Sequence, residues 1–183
     1  MNQQRELRQS ARLMVVDPGG RLLLFRYHEE PQLSLWATIG GELQEGEDYP
    51  SAAMRALKEK AGLTCPIGPL LREVNELSTA ALSTPERWLE RYILVRCPVT
   101  AEVVTNQSRN DAPLSDEEQP TIQAWHWWTL EEMREADPVL FKPTWLPELL
   151  NEILHSEPAL YLEEHSLFSK RLATGFEAAN HYQ

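Results

Sequence analysis

The segment from Gly41 to Leu63, GELQEGEDYPSAAMRALKEKAGL, holds the densest group of side chains able to do chemistry. Three carboxylates, Glu42, Glu45 and Glu47, stand on a short loop after the Gly40-Gly41 pair, and Arg55 and Glu59 follow in a stretch that reads as helix. Residues 55 and 59 are one turn apart and share a helix face, and Arg55 is close enough in sequence to reach back to Glu47. One charge pair can therefore tie loop to helix. Phosphate chemistry asks for carboxylates that converge on Mg²⁺, which neutralises the phosphate and activates a water. A helix presents such a set at i, i+3 and i+4. Counted from position 56 these are Ala56, Glu59 and Lys60, of which Glu59 alone is a carboxylate.

The elements that would position this segment are legible on both sides of it. Asp48 is a helix cap, Pro50 suits a first turn because its missing N–H has no partner there, and Gly62 is a stop. Between them Ala52, Ala53, Met54, Leu57 and Ala61 predict one helix. Upstream, residues 12–16 and 21–27 predict two strands joined by the turn cluster Asp17-Pro18-Gly19-Gly20, a hairpin. Residues 28–34 read as a polar loop that leads through Trp36-Ala37-Thr38-Ile39 to the glycine pair. Downstream, residues 67–74, 88–95 and 121–127 predict strands, 105–119 a long polar loop, and 129–136 and 146–156 helices. From residue 157 the apolar pattern thins to Leu160, Leu162, Leu167, Phe168 and Leu172 at loose helical spacing. The expected organisation is a domain over residues 1–156 and an extension over 157–183.

Length and composition bound the rest. The chain has 183 residues, 42% apolar and 25% charged, enough for one hydrophobic core of ordinary globular type. No apolar run approaches the about 20 residues of a membrane-spanning helix. The opening MNQQRELRQS lacks the apolar stretch of a signal peptide. Cys65 and Cys97 stand in no metal-ligand spacing and suggest no disulfide framework. These features predict a reduced, cytoplasmic protein without membrane attachment. Seventeen Lys and Arg against twenty-eight Asp and Glu leave a net charge of −11, which repels polyanions and argues against general nucleic-acid binding. A small phosphorylated ligand stays compatible with it, held by a divalent cation or a local arginine cluster.

Taken together, Gly41 to Leu63 resembles the Nudix box, G-x5-E-x7-R-E-U-x-E-E-x-G-U with U a bulky apolar residue. Gly41, Glu47, Arg55, Leu57, Glu59, Gly62 and Leu63 fall on its positions. The lead-in Trp36-Ala37-Thr38-Ile39-Gly40-Gly41, the Glu90-Arg91 pair in the strand at 88–95, and Trp127-Trp128-Thr129-Leu130 are also similar to the family, so the resemblance covers about residues 8–155. It implies an α/β fold, a Nudix-type α/β/α sandwich with a mixed β-sheet. It also implies hydrolysis of a nucleoside diphosphate linked to another moiety, with Mg²⁺ or Mn²⁺. In that reading Glu59 is a metal ligand and catalytic residue, and Glu118 a substitute base or ligand. Gly40, Gly41, Glu47 and Arg55 position loop and substrate. The chain departs from the box at two of three helix glutamates, where it carries Ala56 and Lys60.

That departure keeps a second function class in play, a non-catalytic ligand-binding or regulatory module on a degenerate scaffold. For a third, a prenyl diphosphate isomerase, nothing in the sequence speaks. Lys60 is either a surface lysine or a built-in cation that replaces the metal's charge beside Glu59 and Glu47. Glu117 and Glu118 are either a solvated acidic loop or a replacement for the missing carboxylates. Strand alternation puts Trp125 and Trp127 on one face and His126 on the other, with Trp128 beyond the strand. Core packing is expected for at least one of these tryptophans, and Trp36 is expected as a wall of the core near the box. Arg26, Arg72, Arg87 and Arg91 are surface arginines that could meet phosphate. Whether the chain forms a homodimer is open.

Overall fold

In a computed structural model, residues 7–29, 33–78, 86–98, 103 and 122–156 are described. The loop at 105–119 with Glu117 and Glu118, and the tail at 157–183, lie outside the described residues. The chain separates into two compact units, residues 1–147 and 148–183.

The first unit is built on one mixed sheet. Its strands are β1 (Leu7–Val16), β2 (Leu22–Glu29), β3 (Leu33–Ala37), β4 (Ile39–Glu42), β5 (Ile67–Ser78), β6 (Glu86–Arg96), β7 (Ile122–Trp128) and β8 (Phe141–Lys142). The path runs β5-β6-β1-β2-β3-β8, with β4 paired to β1 and β7 to β2. β1 runs parallel to β6 from Leu7↔Arg87 to Val16↔Arg96, and β3 parallel to β8; the remaining pairs are antiparallel. The expected hairpin is present, closed by Asp17, whose carboxylate accepts from the Arg21 backbone N–H and from its guanidinium at 2.8 Å. It is short, because β1 pairs with β2 only at Val16↔Leu22 and then gives its edge to β4.

The helix α1 (Tyr49–Ala61) covers one face of this sheet. Asp48 accepts from the Ser51 N–H at its start, and Gly62 closes it at φ 67°, where a side chain would be strained. Its inward face is Ala52, Ala53, Ala56, Leu57 and Ala61, all buried against Ala11, Leu13 and Val15 of β1, Leu23 and Phe25 of β2, and Ile39 of β4. Four alanines among five inward positions let the helix lie close to the strands. Leu57 supplies the bulk, and truncating it to Ala removes about 2–5 kcal/mol. The alternate positions Met14, Leu22, Leu24, Tyr92 and Leu94 are buried too, so both faces of the sheet are covered. Beyond β7 come α2 (Leu130–Glu135), capped reciprocally by Thr129 and Glu132, and a single 3-10 turn at Pro138–Leu140. The last described helix, α3 (Leu146–His155), crosses into the second unit, with Leu149, Leu150 and Ile153 buried at helical spacing.

Two expectations are corrected. In the stretch at 28–34, read as a polar loop, the described residues are strand, β2 continuing to Glu29 and β3 starting at Leu33. Trp128 lies inside β7, paired with Leu22, rather than beyond it. In both cases the strand continues because a neighbour supplies a ladder, which polar residues and tryptophans do not announce locally.

Candidate functional site

The glycine pair is the floor of the site. β4 pairs with β1 so that Arg12 faces Gly40 and Ala11 faces Gly41. A side chain at Gly40 would meet Arg12 Cδ at 2.6 Å and the Ala11 carbonyl at 2.7 Å. One at Gly41 would meet Ala56 Cβ at 3.1 Å. Gly40 is thus required by the close approach of Arg12 and the Ala11 carbonyl, and Gly41 faces a tight contact with α1 from the other side.

Arg55 ties the acidic loop to α1. Its guanidinium donates to both Glu47 carboxylate oxygens, Nε at 2.9 Å and Nη2 at 2.8 Å, and Nη2 also donates to the Glu42 carbonyl at 2.8 Å. Glu47 accepts in addition from the Gln44 N–H at 3.0 Å. Hydrogen bonding to Arg55, then to Gln44, holds the Glu47 carboxyl down at about 2. Glu59 takes a longer contact from Arg55 Nη1 at 3.4 Å, and its side chain is 53% exposed.

Two helix positions approach the glycines, Ala56 at Gly41 and Lys60 at Gly40. Lys60 Nζ donates to the Gly40 carbonyl at 2.5 Å. Burial, followed by repulsion from Arg12, holds its ammonium below the ordinary lysine range, although Glu59 opposes the change. Arg12 itself is paired with Glu90, Nε at 2.8 Å and Nη2 at 2.7 Å from Oε1. Burial opposes the Arg12 charge, but Glu90, with Tyr92 and Tyr27 beside it, more than restores it. The Glu90 carboxylate also accepts from the Tyr92 hydroxyl at 3.1 Å, and burial, with Glu90 adding to it, keeps Tyr92 protonated. Arg12 and Tyr92 are functional-site neighbours that the sequence did not flag. Their signal is the β1–β6 register, Ser10↔Glu90 and Arg12↔Tyr92, which only the fold supplies.

The resemblance to the Nudix box implies a divalent metal among these carboxylates. Ala56 offers no oxygen and is fully buried against Gly41. Lys60 places an ammonium at the Gly40 carbonyl. Glu42 is engaged by Arg8, Nε at 2.7 Å and Nη2 at 2.6 Å, and Glu47 by Arg55. Among the described residues, no group of three or more His, Cys, Asp or Glu side chains could hold a metal ion. The described donor set does not fit a divalent cation. Glu118, the expected substitute, lies outside the described residues.

The aromatic candidates divide by face. Trp127 is 7% exposed and packs in the core with α1, while Trp125 on the same strand is 40% exposed. On the opposite face Trp36, His126, Trp128 and Phe141 meet edge-to-face, with Trp36 and Trp128 ring centroids 5.3 Å apart. Of the arginines, Arg26 reaches Gln123, Arg87 reaches Asn75, and Arg91 pairs with Glu73 at 2.8 Å. Arg72 stacks 4.5 Å over Trp145, whose ring also meets Tyr92. No helix among the described residues is long and apolar enough to cross a membrane.

Comparison with known structures places this architecture. A MutT protein from Methanosarcina mazei is 17% identical with a TM-score of 0.59, over 85% of this chain and 98% of its own. The E. coli dihydroneopterin triphosphate pyrophosphohydrolase is 17% identical at 0.59, over 81% and 96%. A C. elegans Ap4A hydrolase in binary complex is 20% identical at 0.58, over 82% and 99%. At these identities the likeness shows the fold. No curated protein matches the chain. The NUDIX domain profile matches residues 6–149, most of the chain and the whole of the box with its glycine floor and its Glu47–Arg55 tie, and the chain belongs to the Nudix family.

Proposed function

We propose that this Nudix protein binds a small phosphorylated ligand, a nucleoside diphosphate linked to another moiety, and that metal-dependent cleavage of the diphosphate is reduced or lost. The observation that carries the reading is the Lys60 ammonium on the Gly40 carbonyl, at a helix position where the box has a glutamate. Ala56 supports it, since its methyl fills the gap under Gly41. A fixed ammonium supplies positive charge beside the loop, but it cannot generate a hydroxide from bound water as a divalent cation does.

A second reading is an active hydrolase. The exposure of Glu59 favours it, because among the described residues its carboxylate is held only by the 3.4 Å contact with Arg55. Mg²⁺ is bound in some sites by one or two carboxylates plus substrate phosphates. In that reading Glu59 is the ligand, and Glu118 is the base.

The test is a panel of nucleoside diphosphate derivatives with Mg²⁺ and with Mn²⁺, read as phosphate after phosphatase treatment, alongside calorimetry of each metal with the native chain. The proposal expects no measurable metal binding and turnover far below about 1 s⁻¹. It also expects at least one panel member to bind in chelator. Lys60→Glu, which adds a carboxylate beside Glu59, should gain Mn²⁺ affinity over Lys60→Gln. Native turnover of about 1 s⁻¹ or more would establish the hydrolase instead, and Glu118→Gln would then be the first variant to assay.

A further inference from the structure

Cys65 and Cys97 are separated by 32 positions in the chain and have no part in the site described above. The structure brings their Sγ atoms to 2.7 Å. Both are free thiols, Cys65 half-buried and Cys97 buried. Cys65 lies in the short link from Gly62 at the end of α1 to Ile67 at the start of β5. Cys97 follows the last residue of β6, and its backbone N–H donates to the Val16 carbonyl at 2.9 Å, which fixes it at the end of β1. Two secondary-structure exits thus meet at one end of the sheet. The sulfurs stand less than an ångström farther apart than the about 2.05 Å of a disulfide bond.

We propose that Cys65 and Cys97 are a dithiol–disulfide pair, oxidised within the folded chain by a low-molecular-weight disulfide. The more exposed Cys65 is the entry point. Its thiolate attacks one sulfur of the oxidant RSSR, forming Cys65–S–SR and releasing one thiolate RS⁻. Cys97 then attacks the Cys65 sulfur and releases the second RS⁻. The protons of the two cysteines go to the two leaving thiolates. Two protein thiols and one RSSR become one protein disulfide and two RSH, and the two electrons leave with the oxidant. Burial, with the Cys65 sulfur beside it, pushes the Cys97 thiol up to about 12, which disfavours Cys97 as the first nucleophile. The bond would tie the exit of α1, five residues after Lys60, to the end of β6.

The experiment treats the full chain with oxidised glutathione, blocks the remaining thiols with an alkylating agent, and maps the peptides by mass spectrometry. The expected product is an intramolecular Cys65–Cys97 link, two hydrogens lighter than the dithiol and reversed by dithiothreitol. Cys97→Ala should stop at a stable glutathione adduct on Cys65, and Cys65→Ala should remain largely unmodified at Cys97. Circular dichroism of each variant confirms that it folds, and native-chain mapping is decisive even if one variant does not. The oxidised chain should also melt above the reduced one, because the link constrains the unfolded state. A persistent Cys65 adduct in the native chain, linkage between two chains, or a melting temperature that does not rise on oxidation would overturn the proposal.

Discussion

Glu47→Gln removes the charge that faces Arg55 while keeping the side-chain shape and an acceptor for the Gln44 N–H. Glu47 receives two guanidinium hydrogen bonds at 2.9 and 2.8 Å, and the pair is partly enclosed, the Glu47 side chain 14% exposed and that of Arg55 23%. The Arg55 fork and the Gln44 amide lower the carboxyl from 4.5 to about 2. At about 1.4 kcal/mol per pH unit that bounds the contribution at about 3 kcal/mol. Water reaches the rim of the pair, and fully exposed pairs are worth about 0–1 kcal/mol, so about 1–2 kcal/mol is the working magnitude. For a chain of this size the variant should melt about 2–8 °C below the native protein at neutral pH. The pH dependence gives the sharper check. A carboxyl whose folded value is depressed contributes fully above its ordinary value and loses that contribution as pH falls through the folded value. The gap between native and variant should be complete above pH 4.5 and close as pH falls toward about 2. Thermal and urea unfolding of both chains across that range measures it. Equal melting temperatures at neutral pH, or a gap that stays constant in acid, would refute the bracing role of the pair.

Two further substitutions test the glycine floor and the helix stop. Gly40→Ala would drive a methyl into the Ala11 carbonyl at 2.7 Å as well as into Arg12 Cδ, and should destabilise by about 1–3 kcal/mol in urea unfolding. Gly62→Ala must hold an L side chain at φ 67° and should lower stability by about 1–2 kcal/mol. A neutral result at Gly40 would mean that β4 can lift away from β1. One at Gly62 would mean that α1 ends in another conformation.

What the sequence made legible were features with local causes. Asp48, Pro50 and Gly62 bound α1 because a cap, a first-turn proline and a left-handed glycine each act within a turn of the residue itself. The Asp17 turn is local in the same way. The Glu47–Arg55 pair was accessible because a short loop and two helical turns limit where Arg55 can point. The orientation of the helix end was not legible. That Ala56 and Lys60 both approach the glycine pair follows from packing Leu57 and the alanines on β1 and β4, which no single position announces. The Arg12–Glu90 pair and the meeting of Cys65 with Cys97 depend on the parallel β1–β6 ladder, and nothing near any of those residues encodes that ladder.

The structure also changes what a match to the box signifies. Gly41 lets Ala56 pack close beneath β4, and Leu57 and Leu63 are buried. Gly62 ends the helix in the left-handed region, and its N–H donates to the Lys58 carbonyl at 3.0 Å. Glu47 and Arg55 brace loop against helix. Six of the seven matching positions therefore have a folding role that holds whether or not a phosphate is ever cleaved. Glu59, exposed and loosely held, has none of comparable weight. A chain under selection only to fold and bind would keep those six and could shed the carboxylates at 56 and 60, which contribute charge repulsion to a helix when no metal offsets it. Lys60 goes a step further, because its ammonium gives the Gly40 carbonyl a hydrogen-bond donor that a glutamate could not supply. The retained box is thus direct evidence for the fold, and the chemistry has to be argued from positions 56, 59 and 60 alone.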